Sequence, residues 1–371
     1  MYRVTVNVDP EKTQALIDAA VALGIGRVFI VRARGVLHKR KWGPFTLPAI
    51  SPSFDILNLF VPEAVLQALL QTLVKVGRLD HFGAGSIYAS RITDLWAQGT
   101  TIAKDLEPVT ADFGYEFSND LMAIQCICQL EHAEEIAEAA MQAGSPSPTI
   151  CYGSGHGIRD RLGPFLQLTI NPKKEVLELV VGSAEAERVF ETMVDAGRLD
   201  KPAQGYISTW PVETGLINTV SYQQTTPYPA TMEQIIKAID QLQSNTNWRS
   251  TGTLLATTGH RKKLRDLVSL NCIVNRGFGD RCSMVAMEAG ATGTSTYHAN
   301  ALPIERPARH AYDHSDEREI LSLTVARDLV APIVEALAAL DDLQGTPVVL
   351  FTYPAPQAVT YLGESAATAA G

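Results

Sequence analysis

The chain has 371 residues, 46% of them hydrophobic and 19% charged, with a formal net charge of −9. Such a length holds two or three domains, and such a composition belongs to a core-forming globular protein, not to a disordered or fibrous one. The acidic balance argues against a general nucleic-acid binder, which needs Lys and Arg in excess, yet it leaves room for a local basic loop that holds a small anion.

The stretch MYRVTVNVDPEKT lacks the apolar core of a signal peptide, and no apolar run is long enough to cross a bilayer, so no membrane insertion is expected. Residues 2–9, YRVTVNVD, read as a buried strand. They lead into a helix, PEKTQALIDAAVALG, closed at Gly24, a residue suited to the left-handed turn after a helix. An extended run (RVFIVRARG), a long loop, a strand (FDILNLFV) and a second helix (EAVLQALLQTLVKVG) follow, and then the loop GRLD and a last strand, SIYAS.

The same order then recurs. Shifting the sequence by 120 aligns residues 24–85 with 144–205 without a gap, and 19 of those 62 positions are identical. Chance gives roughly one in sixteen at average composition. The matches include Gly24/Gly144, Gly35/Gly155, the two GPF stretches and two copies of GRLD, at 77–80 and 197–200. In the second copy MAIQCICQ, EHAEEIAEAAMQAG, SPTICYGSG, KEVLELVV, AEAERVFETMVDAG and YISTW take the six places. Cys126 and Cys128 share one face of its first strand. With Cys151, Cys272 and Cys282 they make five cysteines and no C-x-x-C pair, which reads as reduced core thiols and a cytoplasmic location.

A third, more divergent copy begins LVSLNCIVNRGFGDRCSMVAMEAGATG, with Cys272 and Gly290 each 146 after their counterparts Cys126 and Gly144. It closes with REILSLTV, LVAPIVEALAAL and TPVVLFTYP, while GRLD is replaced by DDLQG, ending at Gly345. The predicted organisation is a repeat over 1–99, a linker over 100–119, a repeat over 120–215, a linker over 216–264 with a helix in TMEQIIKAIDQLQ, a repeat over 265–355 and a tail over 356–371. The order β-α-β-β-α-β makes the expected class α+β, three ferredoxin-like repeats.

The third copy, NCIVNRGFGDRCSMVAMEAGATGTSTYHA, resembles the opening of PII-like signal-transduction proteins, and GRLDKPAQGYISTWPVETG resembles their glycine-rich loop and last strand. The resemblance implies an intramolecular pseudo-trimer whose strands are buried on both faces, and a regulatory or sensor protein. An enzyme or metal-binding protein using one cleft, with the histidines of the third loop, ranks below it, since no Ser-His-Asp or Cys-His set recurs at matching positions in more than one copy. Small anionic effectors would bind in clefts between repeats, where a long loop meets a glycine-rich loop. ATP, ADP or another nucleotide is one such effector, and no cofactor is fixed by the residues. The ordered loops would then dock on a target protein. The implied ligand residues are Arg34, Gly35, Lys39, Arg40 and Lys41 in the first long loop and Gly155, Arg159 and Arg161 in the second. From the glycine-rich loops come Gly77, Arg78, Asp80, Gly83 and Gly85, then Gly197, Arg198, Lys201 and Gly205, and Gly345 from the third. Where PII proteins carry a phosphate-binding lysine after the last glycine, this chain has Ser86, Tyr206 and Thr346. Solvated basic loops with no ligand, in a scaffold pseudo-trimer, fit the same composition. His310, Asp313 and His314 are weak metal candidates, since such a polar cluster is more often simply solvated. Asp280 is expected to cap the helix that opens at GFGD.

Overall fold

The computed structural model describes residues 1–36, 41–42, 45–46, 52–81, 83–98, 106–156, 173–217, 263–303, 317–340 and 348–361. Its elements fall in three runs. The first is β1 (Tyr2–Val8), α1 (Pro10–Ala22), β2 (Arg27–Gly35), the short pair β3 (Lys41–Trp42) and β4 (Phe45–Thr46), β5 (Ser53–Val61), α2 (Glu63–Gly77), β6 (Gly85–Arg91) and β7 (Leu95–Gln98). The second is β8 (Leu121–Gln129), α3 (Ala133–Gln142), β9 (Thr149–His156), β10 (Lys173–Gly182), α4 (Ser183–Gly197), β11 (Gly205–Val212) and β12 (Thr214–Leu216). The third is β13 (Leu264–Asn275), α5 (Gly279–Glu288), β14 (Thr294–Pro303), β15 (Glu317–Ala326), α6 (Val330–Ala338) and β16 (Val348–Thr360).

Local chemistry explains the boundaries. Asp9 caps α1 by accepting from the Glu11 amide at 2.9 Å, and Pro10 costs nothing at a position whose N–H has no helical partner. The first helix of each run is followed by a left-handed glycine, Gly24, Gly144 or Gly290, as the sequence predicts. The second helices end at their glycines. Gly77 and Gly197 are the last helical residues, and the left-handed residues are Arg78 (φ 50°) and Arg198 (φ 48°). The glycines are there for closeness: a Cβ on Gly197 would lie 2.8 Å from Ile136 Cδ1 and 2.9 Å from Leu199 Cδ2. Leu79 and Leu199, the third letter of GRLD, are fully buried.

The strands pair in the orders β2-β5-β1-β6, β9-β10-β8-β11 and β14-β15-β13-β16, with every neighbour antiparallel. The three sets then join head to tail. The end of β2 pairs with the start of β9 (Arg34↔Ile150), the end of β9 with the start of β14 (Gly155↔Ser295), and the end of β14 with the start of β2 (Asn300↔Ile30). A second ring forms at the other edge of each set. β7 pairs with β16, β12 with β6, and Ala358–Thr360 of β16 with Tyr206–Ser208 of β11. This last pairing carries β16 past the predicted end of the third copy at 355. The result is a mixed α+β protein, mostly sheet, with a closed barrel of nine antiparallel strands.

Four cores fill it. One lies between sheet and helices in each run, built around residues such as Leu57 and Leu73, Leu177 and Phe190, and Cys272 and Leu337. The fourth lies where the opposite sheet faces meet, and Phe60, Trp210 and Tyr353 represent the three runs there. Burial on both faces is why FDILNLFV and KEVLELVV carry apolar residues at most positions. All five cysteines are buried and free, with Cys126 and Cys128 on the helix side of β8.

The first linker is packed rather than loose over its described part. Leu106 packs against the first helix–sheet core, and Gln71 of α2 bonds the backbone of Phe113 and Tyr115. At the aligned position of α4, Glu191 holds Lys263 at 2.6 Å. The helix predicted in the second linker lies outside the described residues. Among those described, no helix is long and apolar enough to cross a membrane.

Candidate functional site

The register places one acidic residue near the start of each third strand, directly opposite a residue of the second strand. The pairs are Asp55↔Arg32, Glu175↔Tyr152 and Glu319↔His298. Each carboxylate turns toward the first helix of its own run. Asp55 accepts from the Thr13 hydroxyl of α1 at 2.6 Å. Glu175 accepts from the Ala133 amide at 3.2 Å, and Glu319 accepts from the Gly277 and Gly279 amides at 3.1 and 2.7 Å. A carboxylate is favoured there because unpaired N–H groups and the helix dipole both present positive charge. This also corrects the expectation for Asp280. It is the second residue of α5 behind the N-cap Phe278, and Glu319, distant in sequence, is the carboxylate that serves this helix.

The counter-ions differ. Asp55 has Arg32 of its own run at 2.8 Å, and Glu319 has the His298 ring at 3.9 Å, a counter-ion only when that ring is protonated. Tyr152 supplies no charge to Glu175. The cation comes instead from the preceding run: Arg34, at the end of β2, crosses the seam to Glu175 at 2.9 Å and Glu134 at 3.1 Å. Its guanidinium also lies 6.0 Å from the centre of the Tyr152 ring. Burial pulls the Arg34 pKa down, but the hydrogen bond to Glu175 and the Tyr152 interaction outweigh it and hold the group above its ordinary value.

Arg34, Tyr152, Lys173, Lys174, Glu175 and His298 line one cleft of about 950 Å³, to which all three runs contribute. Its described walls balance: Arg34, Lys173 and Lys174 face Glu131, Glu134 and Glu175. Lys174 Nζ donates to Gln129 Oε1 at 2.8 Å, and Gln129 Nε2 donates to the Ala203 carbonyl. The cleft is thereby wired to the second glycine-rich loop. Gly155 leaves room for the Lys174 chain, since a Cβ there would sit 3.1 Å from Lys174 carbons.

Arg34 and Gly35 lie where β2 joins β9, Gly155 lies where β9 joins β14, and of the three only Arg34 lines the cleft. The glycine-rich residues form a separate group, none of which lines the cleft. Gly85 and Gly205 let the loop cross the first strand closely: a Cβ would lie 2.0 Å from the Asn7 carbonyl oxygen or 2.1 Å from that of Ile127. Gly83 is a left-handed turn residue, φ 69°. Arg78 Nη2 lies 3.1 Å from His81 Nε2, and His81 Nδ1 lies 3.0 Å from Asp80. Lys201 stands 3.9 Å from Asp200, and Arg198 is exposed. Lys39, Arg40, Arg159, Arg161, Gly345, His310, Asp313 and His314 lie outside the described residues, and only the backbone of Lys41 is described.

The acidic triplet was missed from sequence although its signal was present. FDILNLFV, KEVLELVV and REILSLTV each carry an acid second, ahead of a mostly apolar run. No protein-family model matches the chain and no curated protein matches it, so what the site does rests on its own geometry.

Proposed function

We propose that the chain is a regulatory protein of the PII-like type: three ferredoxin-like repeats folded as an intramolecular pseudo-trimer. A small anionic effector binds between repeats, and the long loops carry the signal to a target protein. The observation that carries this reading is the double head-to-tail ring, in which every second strand and every carboxyl-terminal extension is handed to another run. Such heterologous contacts close only when the rotation returns on itself, and they create clefts between units at the base of each long loop. The left-handed Arg78 and Arg198 add support. Both copies accept a backbone state that disfavours a Cβ, immediately beside a glycine that could have taken it.

An adenine nucleotide is the first effector to test. Thermal unfolding of the full chain with ATP, ADP, oxoacids and divalent cations measures binding, because a ligand selective for the folded state raises the melting point by mass action. A nucleotide-dependent rise that disappears in a Lys39→Ala, Arg40→Ala, Lys41→Ala triple variant is the expected result; no rise with any nucleotide overturns the nucleotide reading.

A second reading, a scaffold without effector, draws on one observation. The anion-attracting amino-terminal ends of α3 and α5 are already occupied by Glu175 and Glu319. Unchanged melting across the whole panel favours it.

A further inference from the structure

Among the described residues, an ion pair at the central core has its two halves in different runs. Arg3 of β1 is 6% exposed and stands 3.5 Å from Glu178 of β10, whose side chain is 14% exposed. The Tyr88 hydroxyl donates to Glu178 as well. The Arg3 guanidinium lies over aromatic rings of the two other runs, 5.6 Å from the Trp210 centre and 5.1 Å from that of Tyr353.

Neither charge is repeated. By register, the first-strand position of Arg3 is held by Ala123 in the second run and Ser269 in the third. The third-strand position of Glu178 is held by Asn58 and Ser322. The ring is head to tail, so its two possible senses are different structures. In the observed sense, the first strand of run one meets the third strand of run two, and the single cation finds the single carboxylate. In the opposite sense, the same relation sets Arg3 against Ser322 and Glu178 against Ser269. Both charges would then be buried without a counter-ion, which is far worse than a buried pair with its partner. Homotypic rings fail similarly: three copies of run one would bring three Arg3 together, and three of run two would bring three Glu178.

We infer that the Arg3–Glu178 pair selects the sense in which the three runs close their ring, acting as a specificity device rather than as a source of stability. The selection has a consequence at the cleft. Only the observed sense delivers Arg34 to Glu175, whose own strand partner is the uncharged Tyr152.

The test uses the full chain. Arg3→Met and Glu178→Met each lower the urea midpoint, because each leaves the other charge buried alone. The double variant Arg3→Met/Glu178→Met regains most of the loss and shows two sets of methyl resonances for central-core residues such as Ile127 and Ile273, one for each sense. A single set in that variant overturns the inference, since the connectors between runs would then suffice to fix the sense. So does a double variant no more stable than the weaker single. If the double variant does not fold, the exchanged pair Arg3→Glu/Glu178→Arg decides. It restores the pair across the same seam and unfolds at higher urea than Arg3→Glu or Glu178→Arg alone; equal or lower midpoints refute the idea.

Discussion

The start of β5 and the start of β10 present the same backbone, the same strand partners and the same acidic position, yet they are neutralised differently. Asp55 is completed within its own run by Arg32, which remains 55% exposed. Glu175 is completed from outside, by an Arg34 that is 20% exposed and also bridges to Glu134. The first arrangement holds one run together, whereas the second ties two runs to each other. Two exchanges separate them: tyrosine faces Glu175 where arginine faces Asp55, and the register position that reaches across the seam is Arg34 beside Glu175 but Asn300 on the strand that joins β2.

That contrast can be broken or sharpened by substitution. The largest effect belongs to Glu175→Ala, which strands Arg34 beside Glu134 alone and removes the acceptor of the Ala133 amide. It should cost about 3 kcal/mol in urea unfolding, the usual loss when one partner of a buried pair is deleted. Asp55→Ala should cost about 1–2 kcal/mol, because solvent screens Arg32 and chiefly the Thr13 hydrogen bond is lost. Equal losses would show that the seam adds nothing. Next comes Arg34→Ala, at about 2 kcal/mol, with faster amide exchange concentrated in β2 and β9. Arg32→Ala should cost less than about 1 kcal/mol and leave that seam protected.

Tyr152→Arg sharpens the comparison by giving Glu175 the local cation that Asp55 enjoys. In a double-mutant cycle, the cost of Arg34→Ala should fall by about 1 kcal/mol in the Tyr152→Arg background. Additive losses would mean that the two positions do not share the carboxylate. The smallest effect lies at another seam, where Glu213 meets Arg91 through Nε at 2.9 Å and Nη2 at 3.1 Å. The Arg91 hydrogen bond holds the Glu213 pKa below the ordinary carboxylate value, outweighing the opposing effect of burial. A depressed folded pKa means stability present above the unfolded pKa and lost as pH falls through the folded one. Glu213→Gln should therefore lower stability slightly at neutral pH and converge on wild type in acid, which flattens the acid limb; an acid limb as steep as wild type would remove Glu213 from the seam.

Much of the local architecture was legible because it depends on short-range chemistry. Gly24, Gly144 and Gly290 mark helix ends, and the 120-residue offset aligns the helices and long strands described in the first two runs. The doubly apolar strands announced burial on both faces. GRLD was correctly placed between second helix and last strand, but the roles within it were not: the glycine packs, the arginine turns and the leucine plugs the core. A four-letter pattern does not say which residue takes the left-handed state when the glycine itself is the last residue of the helix.

The acid in the third position of β5, β10 and β15 was visible too, but its meaning was not. Strand periodicity gives the face a side chain occupies, not the helix end it reaches. The sequence by itself determined the repeats, the element order and the residues that must be buried, because those follow from propensity and pattern within a few turns of chain. Only the tertiary structure decided which run neighbours which, that Arg34 serves Glu175, and that Arg3 meets Glu178 across 175 residues. These contacts depend on how rings of strands close in three dimensions, and no spacing along the chain encodes that closure.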